Sequence, residues 1–175
     1  HNKVYIQVGN SACSTNEHIE VFEKLIKYKD SNMKIICPLS YSGEAEYIEQ
    51  VIKRGYEIFG KERFEPLTEF MPFNEYLDIL AKTDIAIFNH RRQRGLGNIL
   101  TLLGLGKKVY IRKEITTWQF CIDHKLKVFS ANSDFEDLFV RMDKVVMRKN
   151  IENVKRQFSE EKLIEDWEKI FNENE

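Results

Sequence analysis

The sequence predicts an α/β fold: a Rossmann-like, three-layer α/β/α domain built on a mainly parallel sheet of about six strands. Three observations predict it. Short apolar runs rich in valine and isoleucine alternate with longer stretches whose apolar residues recur at helical spacing. The alternation is strict from one end of the chain to the other, which implies right-handed crossovers and a sheet covered on both faces. A length of 175 residues suits one domain, and a 42% hydrophobic content is enough to fill its core.

The elements follow in order. Val4 to Val8 is a short buried strand ending in the turn cluster Gly9-Asn10-Ser11. Ser14 and Glu17 have capping-box spacing and open a helix with Ile19, Phe22, Leu25 and Ile26 on one face. Lys34 to Leu39 is the second strand, followed by a helix from about Gly43 to Gly60, where Ile48, Val51, Ile52 and Phe59 are helically spaced and Gly60 suits the stop. Glu65 to Phe70 is the third strand, and Phe73, Tyr76, Leu77, Leu80 and Ala81 mark an amphipathic helix. Asp84 to Asn89 is the fourth strand. Ile99, Leu102, Leu103 and Leu105 then indicate a helix closed by Gly104 and Gly106, and Lys108 to Ile111 is the fifth strand. Thr116 with Gln119 has capping-box spacing at the start of a helix through Cys121 and Ile122; Lys127 to Phe129 is the sixth strand, and Ser133 with Glu136 repeats the device. The remainder is helical and charged, with Leu163, Trp167, Ile170 and Phe171 as an apolar stripe.

Charge and cysteine usage narrow the function. A net charge of −1 creates no global field for nucleic acid, so any anion binding must be local. Cys13, Cys37 and Cys121 are odd in number and widely spaced, which argues against a disulfide framework and a structural zinc site and fits a reducing cytoplasmic compartment. There is no apolar run of membrane-spanning length. The chain opens on His1-Asn2-Lys3 and enters a strand almost at once. We therefore expect a domain excised from a longer protein, with part of the active site outside it.

The most informative stretch is Phe88-Asn89-His90-Arg91-Arg92-Gln93-Arg94-Gly95-Leu96-Gly97-Asn98-Ile99, where a strand hands over to a helix. Arginine forks match phosphate oxygens, glycines let the backbone approach an oxyanion closely, and a helix N-terminus offers free N–H groups. The pattern is neither a dinucleotide fingerprint, because Leu100 stands where the third glycine belongs, nor a Walker A loop. His90 is read either as a general base or phosphate donor, or as a packing residue at a strand end. The Gly9-Asn10-Ser11 turn is a second candidate cradle, and Thr116-Thr117-Trp118-Gln119 a third loop on the same edge, with hydroxyls for phosphate or sugar and an indole for a sugar ring. The spacing of His18, His90 and His124 offers no metal-ligand pattern, and no G-x-S-x-G or H-E-x-x-H motif is present. The basic Lys144 to Arg156 region reads as an exposed helix face, with contact to anionic lipid headgroups as the alternative.

Leu67 to Leu77, Thr83 to Asn89, the Gly95-Leu96-Gly97 turn and Lys107 to Ile111 together resemble the donor half of a GT-B glycosyltransferase. More narrowly, Val8-Gly9-Asn10-Ser11, Phe88 to Gln93, Leu96 to Ile99 and Thr116-Thr117-Trp118 resemble the TDP-N-acetylfucosamine:lipid II N-acetylfucosaminyltransferase family, the 4-alpha-L-fucosyltransferases. The resemblance implies a C-terminal domain over residues 1–175 that grips a TDP-sugar, and an N-terminal acceptor domain outside the chain. It implies transfer of a 4-acetamido-4,6-dideoxy sugar to a polyprenyl-diphosphate-linked saccharide at the cytoplasmic face of the bacterial inner membrane, for a product like enterobacterial common antigen. Retaining GT-B members often carry two glutamates around the glycine turn; here Arg94 and Leu102 stand at those positions, so ribose and sugar contacts are expected from elsewhere, with Gln93 and Asn98 as the candidates. On this reading Arg91, Arg92 and His90 are the catalytic candidates. Gly9, Asn10, Ser11, Met71, Asn89, Gln93, Gly95, Gly97, Asn98, Thr116 and Thr117 are the donor-binding candidates, with the loop from Phe70 to Phe73 holding the thymine base. No cofactor or metal is expected. The alternatives are another nucleotide-sugar enzyme and a regulatory α/β domain, although Val8-Gly9-Asn10 and Phe88-Asn89-His90 lack the acidic residues of a receiver.

Overall fold

The computed structural model describes residues 2–159. Six parallel strands, β1 (Val4–Val8), β2 (Met33–Pro38), β3 (Phe64–Leu67), β4 (Ile85–Phe88), β5 (Lys108–Ile111) and β6 (Phe129–Ser130), form one sheet in the order β3-β2-β1-β4-β5-β6. The helices are α1 (His18–Leu25), α2 (Ala45–Arg63), α3 (Phe73–Lys82), α4 (Leu96–Gly104), α5 (Thr116–Asp123) and α6 (Lys144–Phe158). Chain order reverses between β1 and β4, so the loops leaving these neighbouring strands diverge and open a crevice at the carboxyl edge of the sheet.

Strand pleating sorts the core into two faces. Ile85 and Ile87 join α1 and α2 on one face, where Phe64 meets the Phe22 and Tyr56 rings edge-on at centroid separations of 5.4 Å. Ala86 and Phe88 point the other way, into Leu80 of α3, Ile99, Leu102 and Leu103 of α4, and Cys121 of α5. Strands buried on both sides must be apolar at nearly every position, which explains the continuous runs in the sequence. Gln7 of β1 breaks that rule: it is fully buried, and its position becomes meaningful at the crevice.

The differences from the sequence reading lie at element ends. None of the three capping boxes forms. Ser14–Asn16 is a single 3-10 turn, and α1 starts at His18 after Glu17, which sits at φ 50° and ψ 46° and has no side-chain cap. The Glu17 carboxylate is taken by Arg91 instead. Thr116 donates its hydroxyl to Gln93 Oε1 and Gln119 bonds Asp123, so α5 begins without a side-chain cap. Ser133 donates to the Ser130 carbonyl within a run of turns, and no helix follows it before α6. There the cap is Asp143, whose Oδ1 accepts from the Val145 and Val146 N–H groups. Gly60 interrupts α2 rather than ending it: at φ 74° and ψ 170° it kinks the helix, and one further turn to Arg63 leads to β3. Strand β3 ends at Leu67, three residues before the expected Phe70, whose ring stands 88% exposed. The sixth strand lies at Phe129–Ser130, later than expected. The stripe Leu163, Trp167, Ile170 and Phe171 lies outside the described residues.

Candidate functional site

The crevice is built from the turns after β1 and β4, held together by a buried asparagine. Asn16 is 0% exposed. Its Oδ1 accepts from the Asn10 N–H at 3.1 Å and faces His90 Nε2 at 2.6 Å, while its Nδ2 donates to Ser11 Oγ at 3.1 Å and to the Cys13 carbonyl at 2.9 Å. One carboxamide thus fixes the path of the first turn and ties it to the second. The Arg91 N–H adds a backbone bond to the Thr15 carbonyl at 3.0 Å.

His90 is fully buried, with Nε2 toward Asn16 and Nδ1 3.1 Å from the Arg94 carbonyl oxygen. Burial holds its pKa down to about 4, so the ring is neutral at pH 7 and donates from one of these two nitrogens. The geometry makes His90 a brace between the two turns. His18 lies behind it, also fully buried, with Nδ1 2.8 Å from the Tyr47 hydroxyl and a pKa lowered to about 3, chiefly by burial.

The two glycine turns differ in what surrounds them. Gly9 adopts φ +70°, and a Cβ there would come within 2.6 Å of His18 Nε2, so both conformation and space demand glycine. Gly95 precedes α4 at φ +71°, against Asn10 and His90. Gly97 is exposed, and a Cβ there would meet nothing within 4 Å beyond its own helix turn and chain neighbours. Ile99 is the first residue of this helix whose N–H bonds a carbonyl at its start, that of Gly95 at 2.9 Å. The N–H groups of Leu96, Gly97 and Asn98 therefore form the positive end of the helix, beside Asn10.

A cavity of about 440 Å³ adjoins these turns, and Asn10, Met71 and Asn98 are among its lining residues. Its floor is organised by a chain of hydrogen bonds that sequence reasoning missed. Gln7 Nε2 donates to the Gly9 carbonyl and to the Tyr76 hydroxyl, both at 3.0 Å, and the Tyr76 hydroxyl donates to Asn98 Oδ1. Burial raises the Tyr76 pKa to about 12, so the hydroxyl remains a donor. The Asn98 amide is thereby oriented with its NH2 free of that bond. The sequence holds a signal for Gln7, a carboxamide inside an otherwise apolar strand; Tyr76 reads there as part of an apolar helix stripe and not as a hydrogen-bonding group.

The remaining expected residues spread around this centre. Ser11 is 3% exposed, its hydroxyl committed to Asn16. Arg91 turns to α1, with Nε 2.7 Å from Glu17 Oε1 and a longer 3.8 Å contact to Glu20. Arg92 is exposed and makes no ion pair or hydrogen bond among the described residues. The Arg92 and Arg94 charges both help to lower the Cys13 pKa, behind the larger effect of its hydrogen bond with Thr15. Gln93 is exposed and held by Thr116. Asn89 is 1% exposed with neither carboxamide atom bonded, and Thr117 is buried with an unbonded hydroxyl.

The whole chain, residues 1–175, matches the family model described as 4-alpha-L-fucosyltransferase, glycosyl transferase group 56. The chain belongs to this family. Solved structures of glycosyltransferases share the fold of this fucosyltransferase-family chain. A glycosyltransferase from Rickettsia africae ESF-5 superposes with a TM-score of 0.75 at 16% identity, over 99% of this chain and 48% of its own. The C-terminal domain of a glycosyl transferase group 1 family protein (LpcC) from Francisella tularensis gives 0.69 at 11% identity, over 90% of this chain and 87% of its own. An alpha,alpha-trehalose-phosphate synthase (UDP-forming) from Burkholderia xenovorans gives 0.70 at 10% identity, over 99% and 44%. The family chain thus spans less than half the length of the first and third of these proteins. At these identities the likeness is one of fold, the parallel α/β architecture of GT-B halves.

Proposed function

We propose that this chain is the donor-binding, C-terminal half of a glycosyltransferase, and that the crevice between the β1 and β4 turns holds the diphosphate of a nucleotide-sugar. The observation that carries the reading is the open backbone at Gly97, where a helix N-terminus meets space beside the Asn16-braced turn. Oxyanions fit there against the N–H groups of Gly97 and Asn98, with Asn10 alongside. Each preorganised donor of this kind stabilises developing charge by roughly 3 kcal/mol. Arg92, exposed and unpaired among the described residues, neutralises charge on the departing diphosphate; Arg91 contributes once drawn from Glu17. The reading gives no role to a metal.

Family membership supports the transfer of an activated hexose. The finer reading comes from the resemblance in sequence: a TDP-linked 4-acetamido-4,6-dideoxy sugar as donor and a polyprenyl-diphosphate-linked saccharide as acceptor. It places the reaction at the cytoplasmic face of the bacterial inner membrane, in synthesis of a surface polysaccharide such as enterobacterial common antigen. The thymine sits at the Phe70 to Phe73 loop, and Met71 and Phe73 line the cavity next to the proposed diphosphate position. A preceding domain brings the acceptor and the catalytic base.

Isothermal titration with TDP, UDP and GDP tests this on the wild-type chain, Arg92→Ala and Gly97→Val. The reading expects TDP to bind preferentially and both variants to weaken it by tenfold or more, about 1.4 kcal/mol. Equal binding of all three nucleotides, unaffected by Gly97→Val, contradicts it.

A further inference from the structure

The cavity beside the glycine turns contains one acidic side chain, Glu69, for which a diphosphate site gives no reason. Glu69 is exposed and its carboxylate makes no hydrogen bond or ion pair among the described residues. With it in the cavity lining are three highly exposed aromatic residues: Tyr41 from the loop after β2, at 73%, and Phe70 and Phe73, after β3, at 88% and 73%. Asn10 and Asn98 belong both to this cavity and to the turns that form the proposed anion cradle.

These facts orient a ligand. A carboxylate only accepts hydrogen bonds and repels phosphate, which favours phosphates on the side of Asn98 and the helix N-terminus and a hydrogen-bond donor toward Glu69. Aromatic faces on two loops suit a planar ring. In a nucleotide that places its diphosphate at α4 and its base between those loops, the group lying between base and phosphate is the pentose.

Resting on the donor-site reading above, we infer that Glu69 is the residue that reads the nucleotide's pentose, accepting a hydrogen bond from a ring hydroxyl. In a 2′-deoxynucleotide such as TDP the hydroxyl available is the 3′ one. Glu69 then sets the register of the ligand in two ways: it attracts the hydroxyl and repels a misplaced phosphate.

The test is titration of wild type, Glu69→Ala and Glu69→Gln with TDP and with 3′-deoxythymidine diphosphate, which lacks that hydroxyl. Circular dichroism confirms that each variant is folded, as the exposed position of Glu69 leads one to expect. Wild type is expected to prefer TDP by about tenfold, the effect of one hydrogen bond to a charged group. Glu69→Ala should bind the two nucleotides alike, and Glu69→Gln, which keeps a carbonyl acceptor, should retain part of the preference. If TDP binding is abolished by Gly97→Val yet its preference over the deoxy analogue is unchanged in Glu69→Ala, the Glu69 assignment fails while the donor site stands. If TDP does not bind, or Gly97→Val leaves its binding intact, the donor-site reading fails and the Glu69 assignment with it.

Discussion

Two glycines two residues apart illustrate how much of this site is decided by single residues. Gly95 sits at φ +71° with Asn10 and His90 against the position a Cβ would take, whereas Gly97 faces open space. Gly95→Ala is therefore expected to destabilise the fold by about 1 kcal/mol or more through backbone strain. Gly97→Ala should leave it unchanged or raise it by up to about 1 kcal/mol, because alanine is the better helix former. Urea denaturation of the two variants checks the contrast; equal losses from both would show that the space above Gly97 is closed. The buried histidines supply a second expectation. Their folded-state pKa values, about 4 for His90 and about 3 for His18, lie below the ordinary histidine value of about 6.5, so the unfolded chain binds more protons once the pH drops below about 6.5. The stability that these neutral rings contribute is complete above that pH and is lost as pH falls toward 3, at about 1.4 kcal/mol per pH unit for each ring. Denaturation midpoints at pH 7, 6 and 5 should decline in that order, and a flat series would place the rings in contact with water. At this scale the glycine and arginine run was legible in the sequence, because it combines rare conformations with anion chemistry. Asn16 was not: an asparagine in a Ser-Thr-Asn-Glu stretch looks like any turn residue, and only the fold brings His90 onto it from 74 positions away.

The elements were legible because their cause is repeated along their length. Strand β1 and strand β5 match the apolar runs residue for residue, and helices α1 to α5 fall on the expected segments, although Ile26, Phe73, Leu105 and Ile122 of the expected stripes are exposed. Element ends depend on one or two hydrogen bonds, and there local motifs lost to tertiary partners. Glu17 pairs with Arg91 rather than capping, and Thr116 reaches across to Gln93 on the β4 turn. That second exchange links two loops of the carboxyl edge that the sequence placed there separately. Helix α6 shows the opposite case, a strong cap without the expected motif. Asp143→Ala should cost about 1 kcal/mol, since its carboxylate satisfies two backbone N–H groups at a helix start. A change below about 0.3 kcal/mol in thermal or urea unfolding, well under the usual range for a lost cap, would show that α6 is held by packing alone.

For the molecule as a whole, the strand order β3-β2-β1-β4-β5-β6 does the positioning. It sets β1 beside β4, so the two turns with anion-binding chemistry, remote in sequence, become neighbours at one crevice. Strict β-α alternation made the parallel sheet legible, and the family resemblance named its relatives; neither revealed that Gln7 and Tyr76 link the centre of the sheet to Asn98. The proposal for the molecule is that this crevice is a nucleotide-sugar diphosphate site. Amide chemical shifts of the isotopically labelled chain, followed by NMR as TDP is added, test it most directly. The largest changes are expected on Asn10, Ser11, Gly97 and Asn98, with smaller ones at Met71. Changes confined to the basic face of α6, or shifts that leave Gly97 and Asn98 in place, would contradict it.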